Sequence, residues 1–448
     1  MKKWKPMLKT FPKGGVHLAD NKLSAGQEIK RLPVPKVVYV PVSQHMGIPA
    51  EIIVGVKDKV EIGQIIAKSG GYISSNIHSP VAGTVTKLDK IIDTSGYKQQ
   101  CIVIRTDEKN IANFKEITYP LKTDIDLNPQ EIIRRISDSG IVGLGGATFP
   151  SHVKLHLKED EKIDFLIVNG IECEPYLTAD HRLMLEKAEE ILVGIEIILL
   201  ALHINKAIIG IENNKKDAIK LFGNLTKNKT NIQVASLKVK YPQGGEKQLI
   251  KALLNREVPI NGLPKNVGVI VHNVGTVFAI YEAVQHNKPL IERVVTVTGK
   301  KLQNPSNFWV KIGTPISDLI NEVGGIPIGV RKIINGGPMM GKALKNAEVP
   351  VTKGTSGILM ASALETERKE VTSCLRCGEC IEVCPMGLEP FLLMNLAEKG
   401  LFESALSEAV LTCIECGSCS YVCTSNRPLL DFIRYAKINA GKLEKTKK

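Results

Sequence analysis

Eight of the ten cysteines fall between Cys374 and Cys423, as two runs of one pattern: Cys374-x-x-Cys377-x-x-Cys380-x-x-x-Cys384 and Cys413-x-x-Cys416-x-x-Cys419-x-x-x-Cys423. A secreted chain spreads its cysteines as a disulfide framework. Tight C-x-x-C spacings point instead to thiolates in a reducing compartment, and the leading Lys2, Lys3, Trp4, Lys5 and Pro6 lack the apolar core of a secretory signal. Three cysteines at intervals of three present their sulfurs to one cubane, and the fourth, launched from the adjoining helix, reaches the other cluster. The spacing therefore predicts two [4Fe-4S] clusters, one on Cys374, Cys377, Cys380 and Cys423, the other on Cys413, Cys416, Cys419 and Cys384. Zinc also accepts C-x-x-C pairs, and a zinc-stabilised, nonenzymatic scaffold is the competing reading. Zinc sites, however, are usually served by two separated pairs, not by a repeated run of four. Gly378 and Gly417 follow the second cysteine of each run, where a side chain would keep backbone from a sulfide. Pro385 closes the first run, and Thr424 stands in its place after the second.

The 448 residues of the whole chain are long enough for two to four domains at about 100 to 200 residues each. Its hydrophobic fraction of 43% and charged fraction of 23% are ordinary for globular chains. The longest strongly apolar run, 191–204, contains Glu196 and falls short of the roughly 18 residues that cross a bilayer. The net charge of +13 is unevenly placed. Residues 1–40 carry nine Lys or Arg against Asp20 and Glu28, and residues 434–448 carry six against Glu444. Between Glu365 and Cys423 the sign reverses, with ten Glu against four basic residues. A basic extension at 1–30 and a basic tail at 431–448 are expected as solvated ends, or as contacts for acidic lipid head groups or a partner protein. Nucleic-acid binding is not inferred.

Residues 31–115 alternate short Val/Ile runs with turns, as a small β domain does. Val60-x-x-Gly63-x-x-Ile66, followed by Ile77-His78-Ser79-Pro80-Val81-Ala82-Gly83, resembles the barrel-sandwich fold of lipoyl and biotinyl carriers. Their modified-lysine signature is missing from Lys68-Ser69-Gly70-Gly71-Tyr72, so the lipoyl-like fold is expected without covalent lipoyl or biotin. Over 125–290 the texture becomes alternating strands (164–169, 206–211) and helices (183–202, 214–225), an α/β layer with a mostly parallel sheet. Residues 291–360 return to short strands around one helix, the size of a β-grasp module. Residues 361–430 combine the cysteine loops with helices at 390–399 and 402–410.

Within the α/β region, Gly143-Leu144-Gly145-Gly146-Ala147-Thr148-Phe149-Pro150 is a glycine-rich turn that lets amides approach a phosphate or a flat ring; alone, it reads equally as a tight turn. Val168-Asn169-Gly170-Ile171-Glu172-Cys173-Glu174-Pro175 ends a buried strand with an amide and two carboxylates, at the carboxyl edge where such sheets bind ligands. Tyr241-Pro242-Gln243-Gly244-Gly245-Glu246 and His272-Asn273 complete the set. Any single Glu here also suits a helix cap. His78, His152, His156 and His181 form no metal-spaced set with a carboxylate and receive no role.

This order of segments resembles the flavin-bearing, NADH-oxidising subunit of respiratory complex I. With the carrier-like domain before it and the two-cluster domain after it, nearly the whole chain is similar to the RnfC family, the C component of the Rnf electron-transport complex. The resemblance implies a multidomain α/β architecture: barrel-sandwich domain, flavin-binding α/β domain, β-grasp (SLBB-like) module and α-helical ferredoxin domain with two cubane clusters. It implies noncovalent FMN held by Gly143, Gly145, Gly146, Lys154, Asn169, Glu172, Tyr241, Gly244 and Asn273, with NAD(H) near Phe149, Glu174 and Glu246. Lys154 would face a flavin phosphate or ring oxygen, and the two glutamates would orient ribose or carboxamide. No catalytic acid or base is required, because NADH delivers a hydride, an iron-sulfur cluster takes single electrons, and a flavin does both. Leu144, Cys173, Gly245 and His272 depart from the complex I pattern. The family further implies an oxidoreductase and translocase subunit, peripheral at the cytoplasmic face of the cell membrane. It exchanges electrons indirectly with ferredoxin through membrane partners that move Na+ or H+. A soluble flavin and iron-sulfur reductase, such as a corrinoid reductase, shares the domain order and is the near alternative.

Overall fold

The computed structural model describes residues 8–94, 96–112 and 119–446. Lys2, Lys3, Lys5, Lys447 and Lys448, which contribute to the basic ends, lie outside the described residues. No helix among the described residues is long and apolar enough to cross a membrane.

The β domain pairs a four-stranded antiparallel sheet (Val37–Pro41, Lys98–Thr106, Gly83–Ile92, Lys59–Val60 in spatial order) with a three-stranded one (Glu51–Ile52, Ile65–Lys68, Ile77–His78). Alternate residues such as Val38, Val40, Ile66, Val85, Ile102 and Ile104 fill the space between them, which is the period-two pattern of a half-buried strand.

The central sheet has four parallel strands in the order Ile232–Leu237, Ala207–Glu212, Phe165–Gly170, Val269–Asn273. Ala207–Glu212 is buried at every residue, as a continuous apolar run covered on both faces must be. The chain enters at Phe165–Gly170, builds outward through two strands, then returns to the other flank with Val269–Asn273. That reversal makes a switch point between two neighbouring carboxyl ends, where Asn169 and Asn273 stand in register. The helix expected over 183–202 is two helices, Ala179–Glu186 and Ala188–Ala201, broken at Lys187. The second lies in the core, while the first turns toward Glu172, whose carboxylate accepts the Asp180 and His181 N–H groups at 3.0 and 3.3 Å.

A six-stranded mixed sheet follows, in the order Ile29–Arg31, Ser306–Lys311, Glu292–Thr298, Gly357–Ser362, Val330–Asn335, Lys342–Ala343. The helix Ile316–Glu322 packs its buried Ile316, Leu319 and Ile320 against the same core. The last domain is helical, with Pro390–Glu398, Phe402–Ser407 and short helices after each cysteine loop.

Among the described residues, neither basic end is a solvated tail. Residues 8–31 thread over the molecule: Phe11 and Val16 are buried, Ile29–Arg31 is an edge strand, and Lys22 Nζ donates to the carbonyls of Glu172, Glu174 and Leu177 at 2.7, 2.8 and 2.7 Å. Residues 429–446 form one helix whose Leu429, Leu430, Ile433, Ala436 and Ala440 make a buried stripe. Fully burying each large apolar side chain contributes about 1.5–3 kcal/mol. Apolar residues spaced among the lysines therefore decide where these segments lie, and the charges find carbonyls or carboxylates at the margin.

Candidate functional site: a crevice joined to two cysteine quartets

The glycine turn is closed by the bridge between Val142 and Pro150 and by Gly143 N–H donating to Phe149 O at 2.9 Å. Leu144 N–H donates to Thr276 Oγ1 at 2.8 Å, and the buried Arg293 guanidinium donates to Leu144 O and to Lys353 O. Burial holds Arg293 down to about 10, opposed by Asp180. Gly145 lies so close to Asn273 that a Cβ would sit 3.3 Å from the asparagine Cβ, while Gly146, at φ +116°, faces open space. The turn thus presents backbone outward at the switch point.

Asn273 caps the helix Val274–His286, accepting Gly275 N–H at 2.9 Å, and donates through Nδ2 to Asp180 at 2.6 Å. Asn169 donates to Gly244 O at 2.9 Å and accepts Ile171 N–H at 3.0 Å, which sets the Tyr241–Glu246 segment over the strand end. The helix Glu246–Leu254 starts there with no side-chain cap. Two helix N-termini therefore reach this edge, each with outward N–H groups and partial positive charge suited to a phosphate. His272, next to Asn273 and buried, has an Nε2 with no hydrogen-bond partner. Burial, then Lys154, pushes its imidazole down to about 3, so it is neutral. An orphaned buried nitrogen, exposed glycine amides and the uncapped start of the helix Glu246–Leu254 fit an anionic flavin mononucleotide.

The other expected residues fall as follows. Lys154 Nζ donates to Glu246 Oε1 at 2.8 Å and to Val271 O at 3.0 Å, so these two side chains pair with each other. Phe149 is half-buried at the end of the glycine turn. Glu172 caps a helix. Glu174 accepts the N–H groups of Met339 and Met340 at 3.1 and 2.7 Å, and burial pushes its carboxyl up. Its hydrogen-bonding capacity goes to anchoring the 336–341 loop of the β-grasp module, a task the sequence does not signal. Asp180 also escapes sequence reasoning. Burial, then the Glu172 charge, pushes it up to about 7, and its only sequence mark is a place in the first turn of a helix after Glu174-Pro175.

Tyr241 links this crevice to the cysteines. Its phenol is buried and donates to the backbone carbonyl of Cys416 at 2.8 Å. Around it, Cys173, Val16, Met339, Ile414 and Val422 form a small apolar cluster drawn from four parts of the chain.

The eight clustered cysteines gather in two groups of four. Burial raises Cys380, and so do the neighbouring charges of Cys423, Cys374 and Cys377. Burial also pushes Cys413 up to about 11 and Cys419 up to about 12, with Cys384 and Cys416 adding to both. Cys384, Cys413, Cys416 and Cys419 line one shared pocket whose other walls include Leu388, Leu393, Leu430 and Ile433. No three His, Cys, Asp or Glu side chains among the described residues converge on a point that one ion would occupy. The quartet around this cavity therefore suits a cubane, a larger body than one tetrahedral zinc. Gly378 and Gly417, at φ +83° and +78°, turn the loops into their helices. Leu388 N–H and Glu415 N–H donate to Cys384 and Cys413 sulfurs at 3.3 and 3.4 Å.

Comparison with known proteins bears on the whole chain. Residues 9–109 match the RnfC barrel sandwich hybrid domain, 136–282 the Nuo51 FMN-binding domain, 294–343 the SLBB domain and 366–424 a 4Fe-4S dicluster domain. The chain is 44% identical over 446 residues to the C component of the proton-translocating ferredoxin:NAD(+) oxidoreductase complex of Clostridium ljungdahlii, covering 98% of this chain and 97% of that one. This chain belongs to the RnfC family.

Other RnfC relatives agree. The C component of the ion-translocating oxidoreductase complex of Rhodobacter capsulatus is 41% identical over 429 residues, 95% of this chain and 82% of that one. Its counterpart in the Na(+)-translocating ferredoxin:NAD(+) oxidoreductase complex of Acetobacterium woodii is 39% identical over 430 residues, 95% and 96%. A chain of an NAD+-reducing nickel-iron hydrogenase superposes with TM-score 0.49 at 17% identity, over 69% of this chain and 62% of that one. The RnfC assignment brings FMN and two 4Fe-4S clusters as cofactors, in the domains where the crevice and the quartets lie.

Proposed function

We propose that this chain is the NAD(H)-reacting, peripheral subunit of a membrane-bound ferredoxin:NAD oxidoreductase complex, seated at the cytoplasmic face. Its relatives are named as subunits of ion-translocating complexes, which supports complex membership over a free-standing corrinoid reductase. With no helix fit to cross a membrane among the described residues, the movement of Na+ or H+ is assigned to partner subunits.

The observation that carries this reading is the contact of Tyr241, at the edge of the flavin crevice, with the peptide of Cys416. FMN bound in the crevice supplies the exchange between two-electron nicotinamide and one-electron iron-sulfur chemistry. The chain's own residues bind and exclude. Gly145, Gly146 and the uncapped start of the helix Glu246–Leu254 would hold the phosphate by backbone N–H, with Gly143, whose own N–H is given to Phe149 O, closing the turn behind them. Asn169, Gly244 and Asn273 shape the floor, and Glu172 fixes the helix that brings Asp180 to Asn273. Phe149 and the Lys154–Glu246 pair border the nicotinamide side, and Glu174 holds the 336–341 loop beside them. From Tyr241 the buried quartet comes first and the exposed one, with Cys374 and Cys377 at the surface, comes last. Electrons enter or leave the complex's other subunits there.

Anaerobic purification with iron and flavin quantitation, and absorption spectra before and after NADH, tests this. The expected result is one FMN and about eight irons per chain, with flavin bleaching followed by loss of cluster absorbance. A colourless, zinc-containing protein would remove the reading.

A further inference from the structure

We propose that the N-terminal strap, residues 8–22, is the positioning element that sets the buried cluster against the flavin crevice, gripping the Cys384 peptide on one side and the Tyr241 segment on the other. This rests on the flavin-to-cluster reading above. The strap is bonded on two faces. Toward the α/β domain, Val16 and Tyr241 exchange both backbone N–H to O bonds at 2.8 Å, Lys238 N–H donates to Lys9 O at 3.0 Å, and Phe11 N–H donates to Gln243 Oε1 at 3.1 Å. Lys240 lays its ammonium over the Phe11 ring, 4.1 Å from the centroid. Toward the cluster domain, Gly15 N–H donates to Val383 O at 2.8 Å. Gly14 lies flat on the next peptide: a Cβ there would stand 2.6 Å from the carbonyl carbon and oxygen of Cys384 and 2.7 Å from Pro385 N.

Cys384 is the crossing ligand of the buried quartet, and Cys416, another ligand, takes the Tyr241 phenol. The Val16–Tyr241 pairing makes these two grips one unit. Gly14 and Gly15 have φ of +71° and +87°, where other residues are strained, and both lack room for a side chain. Two consecutive positions that only glycine fills, placed against a cluster ligand, bring the strap closer to that peptide than any other residue would allow. The step concerned is the passage of one electron: the reduced flavin is oxidised by one, the buried cluster reduced by one, and no bond on the protein changes. Its rate falls exponentially with edge-to-edge separation.

The test uses the full chain, purified anaerobically with its cofactors, in three versions: unaltered, Gly14→Ala and Gly26→Ala. Gly26 has nothing within 4 Å of an added Cβ and serves as the control. Stopped-flow mixing with NADH reads flavin bleaching and cluster reduction separately, and electron paramagnetic resonance reads the reduced buried cluster. Gly14→Ala should keep its flavin bleaching rate, reduce clusters severalfold more slowly and change the resonance of the buried cluster, while Gly26→Ala matches the unaltered chain. If Gly14→Ala loses iron, Val16→Ala decides instead. It trims the strap without touching the peptide of Cys384, and should show the same split at smaller amplitude. Unchanged cluster reduction in a variant that retains its iron overturns the strap proposal alone. Failure of NADH to bleach flavin in the unaltered chain overturns the reading beneath it.

Discussion

Cys384, Cys416 and Cys419 are buried and Cys413 is half-buried, whereas Cys374 and Cys377 are exposed and Cys380 and Cys423 half-covered, although both runs share one spacing. The surroundings differ as much. The buried quartet has apolar walls, the Tyr241 phenol on its backbone and the strap against Cys384. It also has a charged collar, in which Lys437 Nζ donates to Cys413 O at 2.7 Å and both Lys437 and Arg434 pair with Glu415 at 2.9 and 3.0 Å. The exposed quartet is held mainly by its own flanks, with Ser425 Oγ donating to Ser373 O and Thr372 N–H to Ser425 O. On the proposed reading, a repeated motif serves two tasks according to what packs on it: an inner relay shielded from water, and an outer contact open to a partner.

The most severe way to break this division is Cys413→Ala. Iron should fall by about half, and NADH should still bleach the flavin while no cluster is reduced, as read by stopped-flow absorbance. Cys377→Ala removes the outer quartet only. The buried cluster should then be reduced by NADH as before, with transfer to an external acceptor lost; if both variants behave alike, the inner-to-outer order is wrong. After removal of iron by a chelator, thiol labelling at pH 8 followed by mass spectrometry should modify Cys374 and Cys377 at least about tenfold faster than Cys416 and Cys419, because burial disfavours the reactive thiolate. Lys437→Gln should lower the potential of the buried cluster and leave the exposed one unmoved, by about 1 kcal/mol or less because the side chain is partly solvated and screened; redox titration would show it. The smallest effect lies on the flavin side. The Asp180 pKa is raised in the folded state, so its contribution to stability is full at acidic pH and is lost as pH rises through about 7. Asp180→Asn should flatten the change in Tm between about pH 5 and 8 and leave the reduction order of the two clusters as it was.

The cysteine runs are legible in the sequence because a cluster ligand set is local: six of the eight cysteines sit within two short stretches, 374–380 and 413–419. The parallel strands are legible because strands covered on both faces read as unbroken apolar runs. Lys187 ends a helix that apolar content alone would continue, because Ala179–Glu186, while burying Leu183 and Met184 in the same core, also follows the Glu172 carboxylate. The leader and tail read as solvated from composition because their lysines hide a few apolar residues, Phe11 and Val16 in one and the Leu430–Ile433–Ala440 stripe in the other. Glu174 is a further case. Its hydrogen-bond partners lie some 165 positions along the chain, at Met339 and Met340, and no spacing rule connects them.

Ligand chemistry is therefore written in the order of residues: thiols repeating every three, glycines at a strand end, an alternation of strands and helices that leads to a switch point. Distance is not. Which quartet is dry, which faces outward, and what holds the dry one to Tyr241 depend on contacts between segments hundreds of residues apart. Burial and peptide-to-peptide approach are properties of packed volume, and only the assembled domains fill that volume.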